Sequence, residues 1–437
     1  MSTSTRSRKS DRSSGLEVPP SAATAEPAGP LDHGKNAANP GARPPGHHPA
    51  VRATAGRGHG YGPSREQSVP PIVVGRTVAG HGHGYDVGAR WSRRSAQARR
   101  QVAAGAAILL VLVALPRVSA RADEPICSLT AGIQFHACFS ELRDDYRVAR
   151  AVCFNLADDA AGEACLTDAR RGRDEARLSC GEQLAARREL CGEIGELPYD
   201  PRFDPEDFES DFSNPAHPNP WFPLGVGNTW TYAGGDETVE IEVRDATKLI
   251  DGVRCIVVND RVEIAGRLVE DTDDWFAQAK NGDVWYCGEE VKDFEFFAGD
   301  APELPELVSI DGSFKAGRDG ARAGIAFLAN PLTGAIYRQE YSLGNAEDVA
   351  RVLSETYAFG NDPTLDALVP EDLATLLCGT GTCVVTLEWA PLEPGAFARK
   401  YYAPGVGKFL EVSPDTGDIV QLVACNVAPA CALLPGP

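Results

Sequence analysis

The sequence predicts an α+β protein: a disulfide-stapled antiparallel helical hairpin followed by a mostly antiparallel β meander, arranged as a half-barrel or a sandwich. Two observations predict this class. Six cysteines between residues 123 and 195 are spaced symmetrically about one central point, within segments of helical periodicity. From Trp221 onward, apolar residues recur at every second position, in short runs that are divided by turn signals.

The N-terminal part of the chain indicates an export leader. Residues 1–98 are rich in Gly, Pro, Ser and His without apolar periodicity, which predicts disorder. Residues 99–122 begin with two arginines, which a 14-residue apolar run and small residues follow, the pattern of a signal peptide cleaved after Ala120 or Ala122. A membrane anchor is the alternative, but spanning a bilayer takes about 20 apolar residues. The chain has one methionine, at its start, so a second hypothesis makes residues 1–98 the product of a misplaced start.

Residues 123–195 are expected to form two antiparallel helices joined by disulfides. The cysteines follow one another at separations of 11, 15, 12, 15 and 11, so each mirror pair is centred on residue 159. The polar segment there is typical of a helix stop and restart, with Asp158 or Asp159 as N-cap. Folding the chain about this point predicts three nested disulfides: Cys127–Cys191, Cys138–Cys180 and Cys153–Cys165. A zinc site is the alternative, although zinc-binding cysteines usually come in pairs about two to four residues apart.

An acidic, proline-rich linker follows at 196–220, where repeated prolines prevent a helix. We expect an extended segment that lies along the next domain. Four aromatic residues are the candidate anchors: Tyr199, Phe203, Phe208 and Phe212.

Residues 221–437 are expected to form an antiparallel β domain. Period-two patterns predict strands at 229–234, 238–247, 255–264, 267–278, 283–289, 337–343, 383–390, 398–403, 408–413 and 418–424. Short turns between consecutive strands favour antiparallel pairing over parallel crossovers. Two further segments, 345–358 and 363–377, are expected to be helical or irregular, and the valines of the first to be buried.

The other six cysteines lie in this β domain and allow fifteen pairings. Short separations favour Cys378–Cys383 and Cys425–Cys431, which leaves Cys255–Cys287. An even set in an exported chain predicts disulfides rather than a catalytic thiolate.

Four segments of the β domain resemble a known family. They are NPWFPLGVGNTWTY (219–232), DDWFAQAKNGDVWYCGE (273–289), YRQEYSLGNAEDVARVL (337–353) and PLEPGAFARKYYAPGVGKFLEV (391–412). In this order they resemble a family of uncharacterised exported bacterial proteins, which open with Asn-Pro-x-Phe-Pro-Leu and Trp-x-Tyr and close with Tyr-Ala-Pro-Gly-Val-Gly. The resemblance covers about residues 199–424. It implies an exported β-rich domain and supplies no activity; the cysteine hairpin lies outside it, and residues 359–383 look like an insertion.

Charge and histidine content exclude several classes of function. Residues 1–120 carry 16 Lys and Arg against 6 Asp and Glu, whereas residues 121–437 carry 26 against 56. The acidic residues 121–437 would repel a phosphate backbone. Nucleic acid is therefore not an expected partner. Only His136 and His217 lie in the body, which argues against a histidine-built metal site or a Ser-His relay. The sequence has no nucleotide-binding, hydrolase or metalloprotease motif, and we expect no cofactor and no metal.

One acidic cluster offers an alternative to that expectation. Asp271, Asp273 and Asp274 are close enough in sequence to bind calcium. They lack the glycine-punctuated loop of an EF-hand, so we expect a solvated acidic face instead.

Two functional hypotheses remain. The first is a non-enzymatic envelope or secreted protein that binds a small molecule or another protein on its curved sheet, with no membrane span after cleavage, in the periplasm or outside the cell. The second is an extracellular hydrolase with paired carboxylates. Two carboxyls roughly 5–10 Å apart beside a Trp in a cleft would favour the hydrolase. An apolar lining would favour the binding protein.

A candidate ligand site follows from strand alternation. In YRQEY, Arg338 and Glu340 are expected on one face of the sheet, where they would orient a polar ligand head. The alternative is a ladder of salt bridges on a solvated face. The full candidate set is Arg338, Glu340, Lys400, Asp274, Trp275 and Trp285.

Overall fold

The computed structural model describes residues 124–436, so the leader, signal peptide and cleavage site expected within residues 1–122 lie outside the described range. The helices are α1 (Ile126–Phe154), α2 (Asp159–Ile194), α3 (Pro363–Asp366) and α4 (Glu371–Cys378). The first strands are β1 (Thr229–Gly234), β2 (Glu237–Ile250), β3 (Val253–Ile264), β4 (Arg267–Gln278), β5 (Val284–Glu290), β6 (Asp293–Glu295), β7 (Glu306–Ser309) and β8 (Phe314–Lys315). The others are β9 (Arg322–Phe327), β10 (Ile336–Arg338), β11 (Glu340–Tyr341), β12 (Val349–Tyr357), β13 (Cys383–Trp389), β14 (Ala398–Ala403), β15 (Gly407–Val412) and β16 (Ile419–Cys425).

The helical hairpin is held by the three disulfides that the cysteine spacing predicts. Their Cα–Cα distances are 5.6 Å for Cys127–Cys191, 5.8 Å for Cys138–Cys180 and 5.4 Å for Cys153–Cys165. Helix α2 begins after Asp158, whose carboxylate accepts a hydrogen bond from the Ala161 backbone N–H at 2.7 Å. This N-cap satisfies one of the free amides of the first turn.

The strands form one antiparallel sheet that closes almost completely into a barrel-like shape. Along the sheet the order is β10-β12-β13-β14-β15-β16-β1-β2-β3-β4-β5-β9-β11, with β6, β7 and β8 attached beside it. Strands β10 and β11 lie at opposite ends of this order, yet only Gln339 separates them in the chain. The two ends of the sheet are therefore held next to each other. The helical hairpin and the antiparallel pairing of the strands confirm the predicted α+β class with an antiparallel meander.

The hairpin is anchored to the sheet by a buried ion pair. The guanidinium of Arg187 on α2 donates two hydrogen bonds to the carboxylate of Glu347, with N–O distances of 2.8 and 2.9 Å. Both residues are buried. The Gln183 amide also donates to the Leu392 carbonyl at 3.0 Å. A bidentate pair fixes orientation as well as distance, so α2 is held in one position against the sheet.

The linker packs along the sheet as its aromatic residues predict. Phe208 and Phe212 are buried, and the Phe203 ring packs against that of Phe208 with centroids 4.9 Å apart. The Tyr199 hydroxyl donates to the Ala323 carbonyl at 3.1 Å.

Several parts of the secondary structure differ from expectation. Residues 345–358 are not helical: they contain β12, which pairs with β10 on one side and β13 on the other. Val349, Ala350 and Val352 are all buried because this strand is covered on both faces, so the apolar spacing resembles that of a helix. The sequence does not predict strand β9 or the short strands β6, β7 and β8, whereas α3 lies within 363–377, the segment expected to be helical or irregular, and α4 ends one residue beyond it.

The remaining predicted disulfides, Cys255–Cys287, Cys378–Cys383 and Cys425–Cys431, are present, and all twelve cysteines are paired. Six disulfides indicate an oxidising compartment. Between residues 124 and 436, no helix is apolar over the length needed to cross a membrane.

Candidate functional site

A cavity of about 210 Å³ lies within the barrel-like sheet. Its lining comes from β1 to β5, from β9 and β11, from β13 to β15, and from the segment just before β1. Along most of these strands side chains point into it alternately, as on β4 with Glu270, Thr272, Asp274 and Phe276. The lining divides into an aromatic part and a carboxyl-rich part.

Stacked rings form much of the aromatic part. Phe276 and Tyr286 lie parallel on neighbouring strands with ring centroids 4.7 Å apart, and Phe222 packs edge-on against Phe276 at 5.0 Å. Trp230 is held by a hydrogen bond from its indole N–H to the Val406 carbonyl at 2.7 Å. These contacts fix the rings before any ligand arrives.

The carboxyl-rich part, which is also the polar part of the lining, contains a pair of carboxyls that Tyr286 links. The tyrosine hydroxyl lies within hydrogen-bond distance of Asp274 Oδ1 and, at 3.1 Å, of Glu289 Oε2. A phenol has a single hydrogen, so both contacts are fully satisfied only when one carboxyl is protonated and donates in its turn.

The carboxyls of this part are held toward their neutral form. Burial raises the pKa of Asp274, Glu289 and Glu340 well above the ordinary range, and the neighbouring acids raise them further. Burial also raises the pKa of Asp348 to about 6, although the charge of Lys400 opposes that rise. A buried carboxylate without enough donors is costly, so protonation is the cheaper state.

Two carboxyl oxygens of this polar part have no hydrogen-bond partner among the described residues. They are Glu340 Oε2 and Asp348 Oδ1, and both atoms are buried. The whole Glu340 side chain is buried too, with a relative exposure of 6%. Buried polar atoms are nearly always paired in folded proteins, so these two mark a place where a donor is missing.

The lysines of the cavity are already paired. Lys400 Nζ lies 2.7 Å from Glu388 Oε2, and Lys408 Nζ lies 3.0 Å from Glu411 Oε2. The Tyr402 hydroxyl donates to the other Glu388 oxygen at 3.0 Å. Burial lowers the pKa of Lys400, but the charges of Glu388 and Glu411 outweigh this and raise it, so the lysine stays charged.

Three of the six predicted site residues line the cavity: Glu340, Lys400 and Asp274. The expectation that Arg338 shares a face with Glu340 is wrong. Arg338 lies over the Tyr341 ring, 5.1 Å from its centroid, and its Nη2 is 3.9 Å from Cys127 Sγ. The reason is that Arg338 pairs with β12 and Glu340 with β9, so simple alternation does not continue through Gln339.

The two predicted tryptophans also lie outside the cavity. Trp275 follows Asp274 directly and so points to the opposite face of β4, where Lys248 Nζ lies 3.7 Å from its ring centroid. Trp285 precedes Tyr286 and packs against Phe203 of the linker, with centroids 5.8 Å apart. The aromatic residues of the cavity are their sequence neighbours, Phe276 and Tyr286.

The three aspartates considered for calcium do not converge on one point. Asp271 and Asp273 accept hydrogen bonds from the Asn259 amide at 2.8 and 3.2 Å. Asp274 points to the other face, into the cavity. The three therefore do not share one solvated face, because Asp271 and Asp273 are partly exposed whereas Asp274 faces the cavity.

Sequence reasoning did not find Glu289 and Asp348 as site residues. Asp348 was hidden because its segment was expected to be helical or irregular. Glu289 faces the same cavity as Tyr286, three positions earlier, because Gly288 lies between them with φ +136°. A Cβ at Gly288 would meet the Phe314 carbonyl oxygen at 2.2 Å, so this irregularity needs glycine. The glycine inside a strand pattern was the available signal.

No protein-family model, curated protein or solved structure matches this chain. The four segments 219–232, 273–289, 337–353 and 391–412 do share a location. Each contributes to the cavity lining, for example through Trp230, Tyr286, Glu340 and Lys400.

Proposed function

We propose that the protein is an exported, non-enzymatic binding protein that holds a small molecule in the cavity of its barrel-like sheet. The observation that carries the proposal is the two-part lining, with preformed aromatic rings on one part and buried polar groups on the other. This is the usual composition of a small-molecule site, in which apolar walls supply affinity and a few polar groups fix orientation.

The size of the cavity suits a small ligand rather than a polymer. A cavity of roughly 150 Å³ holds a benzene molecule. The volume of about 210 Å³ therefore fits a compound of roughly eight to ten non-hydrogen atoms. A polysaccharide or peptide chain would need a long cleft.

The carboxyl pair also argues for binding over hydrolysis. A glycosidase that uses two carboxyls needs one of them ionised as nucleophile or base. Here burial raises the pKa of both Asp274 and Glu289 well above the ordinary range, and Glu340 beside them is raised as well. The hydrolase hypothesis is therefore the weaker one.

Export and family membership are part of the same proposal. The apolar run before residue 116 and the six disulfides support a route to the periplasm or the cell exterior. The resemblance to exported bacterial proteins supports a shared function, because all four resembling segments reach the cavity.

Native mass spectrometry of the full chain, produced with its disulfides formed, tests the proposal. We expect a small molecule to co-purify and to be lost on denaturation. Ala326 lines the cavity, so Ala326→Leu should fill part of it and reduce the bound fraction several-fold. The matched control is Ala137→Leu, the same change at an exposed position of α1, which should leave the bound fraction unchanged.

A passive void would give a different result. In that case no ligand co-purifies, and Ala326→Leu only raises the melting temperature by filling empty space. That result would rule out the proposed function.

A further inference from the structure

We propose that the ligand of this cavity is a small organic cation, an amine with an apolar body of roughly eight to ten non-hydrogen atoms, whose ammonium group lies among Glu340, Asp348 and the Asp274–Glu289 pair. The inference rests on the proposed function and names the chemical class of the ligand.

The charge of the lining favours a cation. Seven carboxyl side chains and two lysines line the cavity. The two lysines are satisfied within the protein, Lys400 by Glu388 and Lys408 by Glu411. An anionic ligand would find no cation that is not already paired there, and the buried carboxyls could accommodate it only in their neutral form.

The hydrogen-bonding atoms of the carboxyl cluster favour a donor. Glu340 Oε2 and Asp348 Oδ1 are buried acceptors with no partner among the described residues. An ammonium group carries three donors and no acceptor, so it can supply what both oxygens lack. A bound ammonium would lower the pKa of the carboxyls beside it and favour their ionised form. Hydrogen bonds between charged partners are about twice as strong as neutral ones, which would offset the burial of charge.

The neighbouring rings favour an organic cation over a metal ion. The Tyr286 hydroxyl reaches the carboxyl pair, so its ring lies beside the place proposed for the ammonium, and Phe276 stacks on that ring. Aromatic faces attract organic cations and also pack against an apolar body. A calcium ion would use only oxygen ligands and would leave the aromatic part of the cavity without an occupant.

Isothermal titration calorimetry with three compounds of one shape tests the inference on the full, disulfide-bonded chain. The probes are 2-phenylethylamine, 2-phenylethanol and phenylacetate, which are positive, neutral and negative, with calcium chloride as a fourth. We expect the amine to bind at least tenfold more tightly than the alcohol or the carboxylate, and calcium not to displace it.

Variants locate the binding. Glu340→Gln keeps the size of the side chain but removes its charge, and Asp348→Asn does the same at the second oxygen. Each should weaken amine binding about tenfold or more while the far-ultraviolet circular dichroism stays native. The matched control is Glu306→Gln on the exposed strand β7, which should not change the affinity.

Several results would overturn the inference and leave the proposed function standing. These are equal or tighter binding of the alcohol or the carboxylate, displacement of the amine by calcium, or amine binding that both folded cavity variants retain in full. If no probe binds, the cation inference fails. Only the further absence of any co-purifying molecule would reject the proposed function as well.

Discussion

The Asp348 carboxyl in the cavity makes the stability of the folded protein depend on pH. Burial raises its pKa to about 6, so the folded protein holds this proton at pH values where an unfolded chain has released it. Burial also raises the pKa of Glu340 beside it well above the ordinary range. Because the folded state binds more protons than the unfolded state, the free energy of unfolding falls as pH rises from about 4 to above 6.

We therefore expect the protein to be more stable at pH 5 than at pH 8. Asp348→Asn removes one of the responsible groups and should make the loss between these values smaller by roughly 1–3 kcal/mol. Denaturant unfolding at both pH values measures the difference. The control is Asp245→Asn on an exposed part of β2. Stability that stays constant or increases toward pH 8 in the unmodified chain would contradict the expectation.

The sequence contains enough information to assign more of the site residues to the correct face of the sheet. Strand alternation alone puts Trp275 on the face opposite Asp274, so the two cannot line the same cavity. The position of Arg338 could not be foreseen, because the change of pairing partner at Gln339 depends on closure of the sheet. Local patterns give the face of a residue only while one ladder continues.

The helical hairpin depends on its disulfides more than on its core. Few large apolar side chains are buried along α1 and α2: Leu142, Leu166 and Leu190. Such an interface supplies little hydrophobic stabilisation, as in small disulfide-rich domains. The mirror spacing of the cysteines was a sufficient signal for the pairing, because it requires only two helices and one turn.

We expect mild reduction to loosen α1 and α2 before the sheet. Replacing Cys138 and Cys180 by Ser opens a link across 42 positions, worth about 4 kcal/mol in the chain-entropy account. The matched pair Cys425→Ser and Cys431→Ser opens a link across only 6 positions, worth about 2 kcal/mol. Hydrogen exchange resolved by peptide should show faster exchange in the hairpin for the first variant only. Uniform protection of the hairpin after reduction would refute this.

Most of the longer strands follow from period-two patterns, and two exceptions, β12 and β9, have a physical cause. β12 is buried on both faces, so its apolar residues do not alternate and cannot be distinguished from those of a helix by spacing. β9 contains Gly324. A Cβ atom at this position would lie only 2.0 Å from the Gln339 carbonyl oxygen, so the close approach of the two segments needs glycine. A short, glycine-containing strand gives a weak pattern, although the closure of the sheet depends on it.

For the whole molecule, we expect the mature protein to begin at Arg121 or Asp123. Cleavage there removes a basic leader and leaves a body with 26 Lys and Arg, or 25 without Arg121, against 56 Asp and Glu. N-terminal sequencing of the protein recovered from outside the cytoplasm checks this. Recovery of exported chains that retain residues 1–98 would contradict it, whereas a start within the apolar run would indicate a different cleavage site.

The neighbouring positions of β1 and β16 impose an order of assembly on the chain. The Asn426 side chain accepts a hydrogen bond from the Thr229 amide at 2.8 Å across 197 positions, and β1 pairs with β16 along its length. A growing chain can form the β2–β3–β4 meander early, but β1 stays without its second partner until β16 has been made. Pairing over such separations is slow. The two halves of the sheet, β10 to β16 and β1 to β11, can therefore join only after the last described strand has been synthesised.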